Sequence, residues 1–188
     1  MKKNIVPHII LSFFLNILFL NAQASEIEWK YAKEGNKVIL IRHSIAPGSG
    51  DPKGFDLDDC KTQRNLNKQG INQSKRIGQL FDKNKIPIDR VLSSQWCRCK
   101  DTAKYAFKNF QEFSALNSTF QPPYDKKAKK QIKELKDYIQ KWNGKGGNLV
   151  LVTHYVIITA ITDVTPRSGE IVIIDKNFDV LSTILTSD

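Results

Sequence analysis

Two short stretches of this chain, Val38-Ile39-Leu40-Ile41 and Leu149-Val150-Leu151-Val152, are apolar at every position. A strand with one face in water alternates apolar and polar side chains. An unbroken apolar run suits a strand buried on both faces, as in a parallel sheet covered by helices. Helical patterns fall between the runs. Residues from Lys68 to Lys83 place Ile71, Ile77, Leu80 and Phe81 toward one face, with Asn67 as N-cap. Gln95 to Phe107 reads as a second helix, and Tyr124 to Trp142 as a third, basic one ended by the glycines at 144–147. Asp89 to Ser94 reads as a short strand. Ile171–Ile174 and Val180–Leu185 read as two later strands joined by a turn at Lys176–Asp179. Alternating strands and helices predict a three-layer α/β/α sandwich around a mostly parallel sheet.

Each apolar run ends in a histidine pair, Arg42-His43 and Thr153-His154. In open α/β sheets, ligands bind outside the carboxyl ends of the strands. The architecture therefore brings two residues far apart in sequence to one rim.

The 188 residues fit one domain with a full core. The N-terminus reads as something else. Lys2 and Lys3 precede an apolar run from Ile9 to Leu20, and Ala22-Gln23-Ala24 follows. These are the three parts of a secretory signal peptide. The run is short for a bilayer core of ~30 Å, which argues against a retained anchor. The expected organisation is a signal peptide at 1–24 and one domain at 25–188, exported to the periplasm with no stable membrane anchor after cleavage.

Loss of Lys2 and Lys3 takes the formal net charge from +10 to +8. A basic protein favours anionic partners. The lysines are scattered or lie on the 126–141 stretch without interleaved aromatics, so a solvated helix face fits better than a nucleic-acid surface. Small phosphorylated molecules or anionic envelope components are the expected partners. Oligomeric state is not encoded legibly. Cys60, Cys97 and Cys99 in an oxidising compartment suggest one disulfide and one free thiol. A C-x-C pair with no second pair does not read as a zinc site.

Three pieces carry the chemistry. They are Ile41-Arg42-His43-Ser44 after a strand, Ser93-Ser94-Gln95-Trp96-Cys97-Arg98 with Thr102-Ala103 one turn beyond, and Val152-Thr153-His154 after another strand. In order and spacing they resemble the RH, S-S-x-x-x-R-x-x-x-T-A and [ST]-H motifs of the histidine phosphatase superfamily, the phosphoglycerate mutase-like proteins. The resemblance covers nearly all of 25–188. It implies that His43 is a nucleophile toward phosphorus, that Arg42 and Arg98 clamp phosphate, and that His154 donates to the phosphoryl oxygens. No cofactor or metal is implied. Physical chemistry agrees with these roles. Neutral imidazole is nucleophilic near neutral pH. A phosphoryl group in flight is stabilised by fixed positive charge, which planar guanidinium supplies through paired donors. An arginine in the first turn of a helix is unfavourable unless an anion is near, which again suits Arg98.

Arg64 precedes the first helix as an arginine does in small phosphohistidine phosphatases, so it either approaches the phosphate or pairs with Asp58 or Asp59 at the surface. If Arg64 and Arg98 share one phosphate, Cys60 and Cys97 become neighbours. Cys99 points about 200° away from Cys97 on the helix, so only one of the two can face Cys60, and a Cys60–Cys97 disulfide is expected because Cys97 is the neighbour of Arg98.

Some positions depart from the family pattern. Ser44 and Tyr155 replace smaller residues after the two histidines and would narrow the pocket. The usual glutamate general acid is missing from Leu116–Phe120. The loop after His43 offers Asp51, Asp56, Asp58 and Asp59, and Glu170 lies further on. Asp58 and Asp59 are the preferred candidates. The expected activity is metal-independent hydrolysis of phosphomonoesters, or of phosphohistidine, through a phosphohistidine on His43. A phosphatase of lipopolysaccharide or other envelope sugar phosphates, and a binding or sensor protein with weak turnover, are the alternatives.

Overall fold

A computed structural model describes residues 28–186. The proposed signal peptide lies outside the described residues. Among the described residues, no helix is long and apolar enough to cross a membrane.

The elements run β1 (Val38–Arg42), α2 (Lys68–Lys83), β2 (Ile88–Ser93), α3 (Cys97–Phe107), β3 (Gln111–Glu112), α4 (Ala128–Lys141), β4 (Asn148–Thr153), α5 (Tyr155–Thr162), β5 (Ile171–Ile174) and β6 (Val180–Ile184). A helix α1 at residues 28–34 precedes them. One six-stranded sheet has the order β3-β2-β4-β1-β5-β6. β3, β2, β4 and β1 are parallel, β5 runs antiparallel to β1, and β6 antiparallel to β5.

The unbroken apolar runs are explained by two cores. On β1, Ile39 and Ile41 pack with Trp29, Ile77, Phe81 and Trp96 on one side of the sheet. Val38 and Leu40 pack with Leu135, Ile139, Trp142 and Ile157 on the other. Helices α2 and α3 thus cover one face, and α4 and α5 the other. All eight residues of the two runs are fully buried. Each contributes roughly 1.5–3 kcal/mol, whereas a polar group without a partner there would cost about 2–7 kcal/mol. That asymmetry is why neither run tolerates alternation.

The α2 boundary matches the sequence reading, down to the Asn67 side chain accepting from the Gly70 N–H at 2.8 Å. The basic helix begins later than expected, at Ala128, because residues Tyr124–Lys127 form a 3₁₀ turn. Three elements were not anticipated, the helix α1, the edge strand β3 and the helix α5.

Candidate active site

The parallel pairing of β1 with β4 sets Arg42 opposite Thr153, and that of β2 with β4 sets Ser93 opposite Val152. Each chain then leaves the sheet still tied to its neighbour. The His43 N–H donates to the Thr153 carbonyl at 2.9 Å, and the Ser94 N–H to the Val152 carbonyl at 3.0 Å. Three strand ends therefore present His43, Ser94 and His154 along one rim. The two imidazoles meet edge to face with centroids 5.5 Å apart.

Both imidazoles are buried and their tautomers follow from their partners. His43 Nδ1 lies 2.8 Å from the Ser44 carbonyl. A carbonyl only accepts, so Nδ1 holds the proton and the Nε2 lone pair is left for chemistry. His154 Nδ1 lies 3.5 Å from an Arg98 Nη2, which only donates. Its Nε2–H is then directed at Ser94 Oγ, 2.9 Å away, and Ser94 Oγ lies 3.2 Å from Asn117 Oδ1. For each ring, burial holds the pKa well below the ordinary 6.5, and Arg98 lowers it further. Arg64 and Arg42 act in the same direction. Both rings are neutral at pH 7.

A cleft of about 60 Å³ opens at this rim, lined by Arg42, His43, Asp51, Arg64, Arg98, His154 and the Phe120–Gln121 and Tyr155 walls among others. The Arg42 guanidinium lies over the Tyr155 ring, 5.2 Å from its centroid, and one of its Nη donates to the Pro166 carbonyl at 2.9 Å. Its Nε is buried with no acceptor, and so is the Nε of Arg98. Arg64 donates to the Gly50 and Ala46 carbonyls.

Arg42, His43, Arg98 and His154 are thus brought together. Arg64 joins them on the cleft wall rather than pairing with Asp58 or Asp59. Those two aspartates are exposed and do not line the cleft. Asp59 caps the 3₁₀ turn at Cys60–Thr62 by accepting from the Lys61 N–H at 3.0 Å. Asp58 lies on the same turn-rich loop, its N–H donating to Asp56 Oδ1. Glu170 accepts from the Arg167 N–H. Ser44 does not narrow the pocket, since its side chain is buried against Ser74. Tyr155 does line it.

The carboxylate that reaches the cleft is Asp51. It is bonded to Arg98 Nη1 at 2.8 and 3.1 Å, and it accepts from the Arg64 N–H at 3.0 Å and the Trp96 indole N–H at 2.9 Å. Burial pushes its pKa up, but the hydrogen bond and charge of Arg98, with the other two donors, outweigh burial and hold it below the usual carboxylate value. Its signal in the sequence is a Gly-Ser-Gly-Asp turn that folds the chain back over the strand end; Gly48 and Gly50 both have positive φ there.

Cys60 and Cys97 are disulfide-bonded with Cα atoms 5.7 Å apart, as expected. The bond ties the 47–60 loop to the helix that carries Arg98. Phe55, Trp96 and Tyr124 pack the same loop down, with Trp96–Tyr124 centroids at 4.8 Å and Trp96–His154 at 5.4 Å. Cys99 is free and buried, and burial pushes its thiol up to about 12. Among the described residues, no group of three or more His, Cys, Asp and Glu could hold a metal ion.

No family model matches the sequence, and no curated protein does. Solved structures do. The protein histidine phosphatase SixA in complex with tungstate superposes with a TM-score of 0.52 at 16% identity, over 77% of this chain and 92% of that one. A SixA phosphohistidine phosphatase from Agrobacterium tumefaciens gives 0.54 at 17%, over 80% and 98%. An alpha-ribazole-5'-P phosphatase from Escherichia coli gives 0.55 at 15%, over 77% and 93%. With its parallel strands ending in Arg42-His43, Ser93-Ser94 and Thr153-His154, the chain has the α/β fold of the histidine phosphatase superfamily.

Proposed function

We propose that this chain is a metal-independent phosphohydrolase that passes a phosphoryl group through His43. The observation that carries the reading is one cleft lined by His43, His154, Arg42, Arg64 and Arg98, two of whose arginines, Arg42 and Arg98, hold a buried Nε without an acceptor. A buried donor without an acceptor is costly, and a tetrahedral oxyanion supplies acceptors to both.

In the proposed reaction, the Nε2 lone pair of His43 attacks phosphorus. The P–O bond to the leaving group breaks, and its electron pair departs with that oxygen. Arg42, Arg64 and Arg98 bear the charge on the equatorial oxygens. An anion in the cleft opposes the lowering of the His154 pKa by the arginines, so His154 takes up a proton on Nδ1 and donates it in a hydrogen bond. Water then attacks the phosphohistidine, releasing inorganic phosphate and restoring the His43 lone pair.

Among the described residues lining the cleft, the sole carboxylate is the ion-paired Asp51. This favours substrates whose leaving group departs without a donated proton, such as aryl phosphates and phosphohistidine, over sugar phosphates of the envelope. The signal-like N-terminus supports action in the periplasm. The fold shared with a protein histidine phosphatase supports the phosphohistidine option.

The test is intact-mass measurement after rapid mixing with p-nitrophenyl phosphate in EDTA and quenching in alkali, where phosphohistidine survives. Wild type gains one phosphoryl group and His43→Ala gains none. His43→Ala also loses turnover by far more than tenfold. Absence of label on wild type, or turnover that requires a divalent metal, rules out the proposal.

A further inference from the structure

The phosphohydrolase reading leaves one buried charge without a role. The Asp51 side chain is 2% exposed and sits beside a cleft built for anions, where its charge repels them. It is not poised as an acid. Its two oxygens accept from Arg98 Nη1, the Arg64 N–H and the Trp96 indole N–H, and protonation would break at least one of those bonds.

Two features of the geometry suggest what the charge does. First, Asp51 takes one Nη of Arg98, while the other Nη faces His154 and Nε has no acceptor. The guanidinium is held at one corner, where Nη1 also donates to the Arg64 carbonyl at 3.4 Å, so that Nη2 is left facing His154. Second, the charged residues lining the cleft are Arg42, Arg64, Arg98 and Asp51. With both histidines neutral, three positive charges and one negative leave +2. That equals the charge of a phosphomonoester dianion with opposite sign.

We propose that Asp51 is a positioning and charge-matching residue: it aims Arg98, and it holds the empty clamp at +2 so that a phosphoryl dianion is bound without being trapped as product. The proposal rests on the cleft being a phosphate site. The backbone of Asp51 is fixed separately by Gln121, whose Oε1 accepts from the Asp51 N–H at 2.8 Å and whose Nε2 donates to its carbonyl at 3.4 Å. Changing the carboxylate therefore leaves part of the loop's anchoring in place.

The experiment pairs calorimetric titration of sulfate, a dianion throughout the neutral range, with turnover of p-nitrophenyl phosphate. Asp51→Asn keeps the shape and removes the charge. It is expected to bind sulfate about tenfold more tightly, while kcat falls on the order of 100-fold as Arg98 loses its aim. Asp51→Glu restores the charge and returns sulfate affinity toward wild type. A merely structural role moves binding and turnover down together, so a folded Asp51→Asn that binds sulfate equally or more weakly overturns the proposal.

Should Asp51→Asn not fold by circular dichroism, wild type decides. Across aryl phosphates, kcat/KM falling steeply as the leaving group becomes more basic supports an ionised Asp51, and a flat dependence overturns it by showing a proton donor. Wild type that binds sulfate yet hydrolyses nothing overturns the hydrolase reading alone. Failure of wild type to bind sulfate overturns both.

Discussion

At the scale of single residues, the behaviour of His43 is set by what surrounds it. An imidazole in water titrates near 6.5, but burial and three arginines hold His43 and His154 well below that value. Two consequences follow, with a definite sign. The proposed attack by His43 needs a neutral ring, so kcat/KM is expected to stay level through pH 7 and to fall only on the acid side, with a midpoint below 6.5. Stability changes over the same window. As pH drops below 6.5 the unfolded chain takes up protons that the folded chain refuses, so the folded state loses stability from there down to the depressed folded value. Urea unfolding from pH 8 to 5 checks the second point, and a pH–rate profile the first. A midpoint above 6.5 would mean that the arginines do not govern these rings. Sequence motifs named His43 and His154, but their depressed pKa values were not legible. Those values depend on burial and on Arg98 and Arg64, which reach the cleft from another helix and another loop.

Among elements, the approach of α2 to the segment just past His43 is a tight constraint. Gly70 lies in the first turn of α2, where a Cβ would stand 2.1 Å from the Ile45 carbonyl oxygen. The Asn67 N–H donates to that same carbonyl at 3.3 Å, and the Ile45 N–H donates to Gln73 Oε1 on α2 at 3.0 Å. Gly70→Ala must push α2 away from Ile45, two residues beyond His43. The expected cost is roughly 1–3 kcal/mol of stability, with a loss of kcat from displacement of the histidine. Chemical denaturation and steady-state kinetics on the variant measure both. Helix boundaries such as Asn67 were readable because capping is local chemistry. Helix α5 was not, because Tyr155–Thr162 is dense in β-branched residues, which are poor helix formers. Packing of Ile157, Ile158 and Ile161 against the sheet overrides that preference.

For the whole molecule, the 47–60 loop and the helix carrying Arg98 are joined across a sequence separation of 37 residues by Cys60–Cys97. Chain entropy assigns such a closure on the order of 3–4 kcal/mol. Reduction is expected to lower the unfolding free energy by about that much. Cys99 should resist alkylation until the protein unfolds, since it is fully buried with a thiol pushed up to about 12. Denaturation with and without reductant, with thiol counting by mass spectrometry, tests both. Rapid native labelling of Cys99 would contradict the packing around His154. The sequence alone determined the two doubly buried strands, the rim to which their histidines belong, and the arginines that join them at one cleft, because burial periodicity and strand-end motifs are carried by consecutive residues. It did not determine which aspartate enters the cleft. Asp58 and Asp59 stand closer in sequence to Arg64, yet both are exposed, and Asp59 caps a turn of its own loop. Asp51 turns inward because Arg98, Trp96 and the Arg64 backbone N–H converge on one buried point. Only the tertiary structure brings those three donors together, and a carboxylate is buried only where such donors meet it.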